Sequence, residues 1–221
     1  WLLRVYLPTA TAVTAVTVKT AKVLGELSAD ADISGLFELR LPRKRSAEPY
    51  ILKVSQGSYQ YDLLDPYQFT EQAFYAVHYV NSQPENLYRQ LGAQLITLDV
   101  AGKKVSASRF AVYAPNASSV SLVGDMNGWD GRLHPMQRTL CGHWVLVVPQ
   151  VAVGVRYKFE IKDKVGNLLP HKADPMAFYA EQYPSHASLV YDHSKYQWQD
   201  SNWQQRPATD PLTSAISIYE V

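Results

Sequence analysis

The strongest constraint on this chain is that it repeats itself. Tyr6, Pro8, Ala10 and Val13 recur as Tyr113, Pro115, Ala117 and Val120, all at a shift of 107 positions. The same shift pairs Gly35 with Gly142, Phe37 with Trp144 and Tyr50 with Tyr157, and a shift of 109 sets Asp65-Pro66 against Asp174-Pro175, with Phe69 against Phe178. Four segments in one order make a duplicated unit of roughly 100 residues, a common size for a domain. With 221 residues the chain holds two such units, each able to bury a core without a metal or a disulfide.

The short-range pattern inside each copy is that of strands. Val155, Tyr157, Phe159 and Ile161 alternate with Arg156, Lys158, Glu160 and Lys162, which gives one apolar and one charged face. Phe110, Val112 and Ala114 alternate in the same way, as do Trp144, Leu146 and Val148, and Leu3, Val5 and Leu7. Each run is bounded by Pro, Gly, Asn or Asp. The expected fold is all-β: two tandem immunoglobulin-like β-sandwich domains joined by short helices. The expected boundaries are a first sandwich over 1–70, a helical linker over 71–92, a second sandwich over 93–191, and a further linker over 192–221. In the first linker, Phe74, Val77 and His78 share one face of a helix over Glu71 to Asn81, and a second helix runs from Pro84 to Leu91 and stops at Gly92. A hairpin turning at Ala101-Gly102 opens the second copy. After Tyr191 the chain turns polar, and Trp198 and Trp203 there need a surface to lie on.

Charge and cysteine content exclude several classes of function. Basic and acidic residues nearly balance, 21 against 20, and the one basic run is Arg43-Lys44-Arg45, so nucleic acid is not the expected partner. The single Cys141 rules out an internal disulfide, fits a reducing cytoplasm, and is expected to be buried or half-buried. There is no run of 18 apolar residues and no basic-then-apolar leader, so no membrane contact is expected. Trp1 opens the sequence without a preceding Met and inside an apolar run, as a trimmed piece would.

No catalytic constellation emerges. There is no Gly-rich phosphate loop and no nucleophile elbow, and His78, His134, His143, His171, His186 and His193 lack metal-ligand spacing. Asp125, Asp130, Glu160 and Asp163 fall in turns or on charged strand faces, where Asp serves turn chemistry. No catalytic residue, metal or cofactor is therefore assigned.

Comparing the copies is more informative, because positions shared by both serve the fold and positions peculiar to one are free to serve function. Trp144 matches Phe37 and belongs to the core. Trp129, in Gly124-Asp125-Met126-Asn127-Gly128-Trp129-Asp130-Gly131, has no counterpart loop in residues 17–24, and Lys158 stands where copy one has Ile51. A tight turn of this composition lifts an indole toward solvent. A flat indole covers the C–H face of a sugar ring, while the Asn127 amide and the Lys158 ammonium reach its hydroxyls. The competing reading is that Trp129 packs on a neighbouring domain and Lys158 is merely solvated.

Those residues also carry a family resemblance. Arg109 to Ala117, Val123 to Met136, Gly142-His143-Trp144, Tyr157 to Glu160, Asp174-Pro175 and Ala187 to Val190 resemble, in order and spacing, the glycogen-associated carbohydrate-binding module of glycogen branching enzymes. Residues 1–92 look like the additional amino-terminal domain of the longer bacterial branching enzymes, and Ile216 to Val221 look like the first strand of an α-amylase-type barrel. The resemblance implies non-catalytic front domains of a cytoplasmic 1,4-α-glucan branching enzyme, whose partners are α-glucan (glycogen, maltooligosaccharides) and its own catalytic barrel. The parent would cut an α-1,4-glucan through a covalent intermediate and pass the cut chain to a 6-hydroxyl, using carboxylates beyond Val221. Related modules grip glucan with a loop Trp, a strand Lys and a second Trp on the following hairpin. Trp129 and Lys158 match the first two, whereas the hairpin Lys164 to Leu169 has no aromatic residue. Two other readings remain open: a purely structural or domain-docking role, and the front end of a debranching or trehalose-releasing relative.

Overall fold

In a computed structural model, residues 2–42, 48–77, 86–205, 213, 215 and 217–220 are described. They fall into two compact units, Trp1–Tyr191 and Asp192–Val221. The first unit holds strands β1 (Leu2–Tyr6), β2 (Ala12–Thr17), β3 (Val23–Ala29), β4 (Leu36–Arg40), β5 (Tyr50–Gln56) and β6 (Tyr59–Leu63). Helices α1 (Thr70–Val77) and α2 (Leu87–Gln90) follow. Then come β7 (Gly92–Val100), β8 (Lys103–Tyr113), β9 (Ser119–Gly124), β10 (Gln137–Arg138), β11 (His143–Pro149), β12 (Arg156–Lys162), β13 (Tyr179–Ala180) and β14 (Ser188–Leu189). The fold is all-β, with antiparallel sheets throughout.

The repeat survives at the level of strand register. Val5 faces Phe37 across β1 and β4, and the shifted pair, Val112 and Trp144, face each other across β8 and β11. Thr17 faces Tyr50 across β2 and β5, as Gly124 faces Tyr157 across β9 and β12. Because a one-residue slip would turn a strand inside out, identical registers mean that both copies bury corresponding side chains. In copy one, β3 joins the halves by pairing with β2 through Val23–Leu27 and with β4 through Ser28–Ala29, in the strand order β1-β4-β3-β2-β5-β6. Its core holds Leu3, Val13, Ala15, Leu27, Phe37, Tyr50, Leu52 and Val54. In copy two the sheets β10-β11-β8-β7 and β13-β14-β12-β9 enclose Phe110, Val120, Leu122, Trp144, Tyr157 and Phe159. Trp144 is 6% exposed and donates its indole N–H to the Ala114 carbonyl at 3.0 Å, as a core ring must when it carries a polar group.

Each copy is closed by the same fitting. The Tyr50 hydroxyl donates to the buried Asp65 carboxylate, whose other oxygen accepts the Tyr67 N–H at 3.0 Å. In copy two, Tyr157 donates to Asp174 at 2.7 Å, and Asp174 accepts the Met176 N–H at 2.8 Å. Burial raises the pKa of both carboxyls above the ordinary Asp value, against the lowering effect of these donors.

The connection between copies is a third core. Leu64, Phe69, Ala73 and Leu91 pack with Leu98, Val100, Ala107, Ala111, Val145 and Val147, which lie on the outer face of the β10-β11-β8-β7 sheet, and Ile51 of copy one joins them. The helix expected over Glu71 to Asn81 is α1, described as far as Val77, and the one expected from Pro84 is α2; His78, Asn81 and Pro84 lie outside the described residues. Arg109, 7% exposed, ends α2 by donating to the Arg89 and Gln90 carbonyls, each at 3.0 Å. The hairpin at Ala101-Gly102 has positive φ at both residues, 54° and 86°, as a two-residue turn matched to strand twist requires.

Cys141 corrects an expectation: it is exposed, on the Thr139–Gly142 turn between β10 and β11, closed by the Gly142 N–H to the Thr139 carbonyl at 3.2 Å. Turn geometry outweighs the apolar preference of the thiol. In the second unit, Ser201–Gln204 form a single helical turn, α3, and Trp198 and Trp203 are 77% and 65% exposed. Ser217–Glu220 are not strand, and Ile216, Val221 and the Arg43-Lys44-Arg45 run lie outside the described residues.

Candidate glucan-binding face

The loop that follows β9 is braced onto the polar face of β12. Gly124 permits the close approach, since a Cβ there would collide with the Arg156 carbonyl. Asp125 then grips Arg156 bidentately, at 2.9 and 3.0 Å, and takes its backbone N–H at 3.1 Å. The Arg156 guanidinium accordingly holds the Asp125 pKa below the ordinary Asp value. At the far end of the loop Gly131 lies against the Glu160 carboxylate. Arg156 and Glu160 flank Lys158 on the outward side of β12, because Tyr157 and Phe159 between them point into the core. The loop is thus bonded to β12 on one side of Lys158 and lies close against it on the other, and Trp129 is tied to the bonded end through Asp125.

Trp129, expected to be lifted toward solvent, is half-buried. Its backbone has φ 65°, straight after Gly128 at 60°, and its N–H donates to the Gly124 carbonyl at 3.0 Å. A left-handed Trp is strained by about 1 kcal/mol or more, which the surrounding bonds must offset. Its ring N–H reaches Asp125 at 3.3 Å. Lys158 donates to His186 Nε2 at 3.1 Å, and Glu160 lies 3.5 Å from His171.

Asn127 has a different task from the one expected. It is 8% exposed; its carbonyl accepts the Gly124 N–H at 3.0 Å, and its amide donates to the Leu122 carbonyl at 2.9 Å and to His134 Nδ1 at 3.0 Å. Both amide hydrogens are committed within the loop, so the amide has no donor left for a sugar hydroxyl. It builds the loop that presents Trp129.

Behind the loop is a cleft of about 410 Å³ against copy one, lined by Tyr6, Tyr61, Tyr67, Met126, Arg132 and His134 among others. Copy one holds the loop across it: the Tyr67 hydroxyl donates to the Pro135 carbonyl at 2.9 Å, and Arg132, paired with Asp130, stacks 5.2 Å over the Tyr6 ring. Nothing in the sequence marked these contacts, because they join residues from different copies. The positive φ at Trp129 was not legible in the sequence, since a Trp side chain does nothing to favour it. Among the described residues no group of three or more His, Cys, Asp or Glu side chains is placed to hold a metal ion, and no helix is long and apolar enough to cross a membrane.

Residues 90–177 match the family model of carbohydrate-binding module 48, the isoamylase N-terminal domain. The chain is 53% identical to the 1,4-alpha-glucan branching enzyme GlgB of Pseudoalteromonas atlantica over 98% of its own length, and 46% identical to that of Vibrio cholerae over 99%. The chain belongs with the amino-terminal segment of these branching enzymes. It spans about 30% of the length of the first of these relatives and 29% of the second. Among solved structures, a pullulanase of Paenibacillus barengoltzii complexed with maltotetraose is 23% identical over 54% of this chain and 17% of its own, with a TM-score of 0.41. Trp129 and Lys158 both fall within the residues that match the module model.

Proposed function

We propose that this segment is the non-catalytic front of a cytoplasmic glycogen branching enzyme. In this reading residues 1–70 and 93–191 form the two sandwiches, 71–92 link them, 192–221 lead to a catalytic barrel, and the second sandwich binds an α-1,4-glucan chain. The observation that carries the reading is the strained loop, gripped at Asp125 by Arg156, that presents Trp129 beside the strand carrying Lys158, within a match to a carbohydrate-binding family. The indole supplies the apolar platform and the ammonium a donor to ring hydroxyls, while copy one steadies the loop from behind. The parent enzyme would use this grip to dock glucan and choose chain length while its barrel makes α-1,6 branches.

Affinity electrophoresis in a glycogen gel tests the reading. The wild-type chain is expected to be retarded and Trp129→Ala to run as in a gel without glycogen. Equal retardation of the two would remove Trp129 from glucan binding and favour the purely structural role.

A further inference from the structure

The Trp129 loop covers only the β9 and β12 side of its sheet. Across the strands Arg156 pairs with Leu189, and Leu189 with Tyr179. Directly opposed residues share a face, so Tyr179 stands on the same outward side as Arg156. Two positions beyond Leu189, past Val190 at 1% exposure, Tyr191 returns to that side. The rings of Tyr179 and Tyr191 stack, with centroids 5.4 Å apart and planes 18° from parallel. They are 55% and 38% exposed, and none of the three cores includes them.

The surroundings of this pair suit a polyhydroxylated ligand. Arg156 bridges from Asp125 to Glu181, at 3.4 Å, and Glu181 also accepts the Ala187 N–H at 3.0 Å. His186, held by Lys158, lies on the same connection. Donors and acceptors therefore run between two aromatic platforms, Trp129 on the loop braced over β12 and the tyrosine pair at the β13 edge. Two strand spacings separate β12 from β13, about 10 Å, more than one sugar ring covers.

We infer that Tyr179 and Tyr191 form a second stacking subsite, which takes a more distant sugar of the same α-glucan chain that lies on Trp129. The inference rests on the reading of Trp129 above and adds a length requirement: a short oligosaccharide reaches one platform and a longer one reaches both. It also gives the face a second aromatic surface, which the hairpin Lys164 to Leu169 lacks.

The test is calorimetric titration of the whole chain with maltotriose and with maltoheptaose. The double variant Tyr179→Ala, Tyr191→Ala is expected to bind maltoheptaose roughly three- to tenfold more weakly, the size of one lost ring-stacking contact, with maltotriose unchanged. Tyr179→Phe, which keeps the ring, is expected to stay near wild type for both sugars. Unchanged maltoheptaose affinity in a double variant of wild-type melting temperature would overturn the subsite, as would equal weakening for both sugars. Trp129→Ala separates the two readings. If it weakens both sugars while the tyrosine variant weakens neither, only the subsite falls; if wild type binds neither sugar, both readings fall.

Discussion

In the wall of the cleft, His134 accepts the Asn127 amide through Nδ1, and burial pushes its pKa down to about 4. The unfolded chain binds the proton near pH 6.5, so the neutral ring favours the fold in full above that value, and the contribution is lost as pH falls from 6.5 toward 4. The loss amounts to about 3 kcal/mol. Asp65, in the same cleft, acts in the opposite direction: burial raises its pKa, so acid relieves a buried charge. A raw melting curve mixes the two, whereas His134→Gln removes one of them. The stability difference between wild type and this variant is expected to shift by about 3 kcal/mol against wild type between pH 7 and pH 4, measured by urea unfolding at each pH. A difference that does not change with pH would show that the ring titrates normally. At this scale the sequence was legible in part. Trp129 and Lys158 stood out because copy one lacks them, whereas Asn127 looked like a ligand donor because nothing in an Asn-Gly-Trp turn reveals that both amide hydrogens are used internally.

Among the elements, strands were the easiest to read and helices the hardest. Alternation located β8, β11 and β12, and the repeat implied that corresponding strands share a register in the two copies, as they do, since register is set by which face is buried. The linker looked like two amphipathic helices between domains; the sequence did not show that they cover a sheet, because in β7, β8 and β11 apolar residues face both sides. Ala107, Ala111, Val145 and Val147 point away from the sandwich interior and under the helices. Arg109 is the polar counterpart of that packing. Its guanidinium sits among apolar groups, with its pKa lowered to about 10 by burial, and meets the last carbonyls of α2. Arg109→Leu is expected to cost about 2 kcal/mol in chemical denaturation and to speed amide exchange in α2, because two charge-assisted bonds vanish and two carbonyls lose their donor. Unaltered exchange in residues 87–91 would show that the side chain is not what ends the helix.

On the scale of the whole molecule, the third core packs the two sandwiches and the helices between them into one compact unit. Phe69, 4% exposed, lies in that core and in neither sandwich interior. The wild-type chain is expected to show a single calorimetric transition for this body. Phe69→Ala is expected to remove about 3 kcal/mol and to resolve two transitions, as each sandwich then unfolds alone. One sharp transition in the variant would mean that the cleft contacts suffice to couple the copies. The Tyr–Asp closures bear on the same architecture. At Asp65 the tied-down chain departs into α1 and roofs the neighbouring sheet, but at Asp174 an equivalent knot is followed by a path that doubles back and supplies β13 and β14 to its own sandwich. One junction, used twice, therefore acts like a railway switch: set outward it couples two domains, and set homeward it widens a sheet by the two short strands that carry Tyr179 and lead to Tyr191.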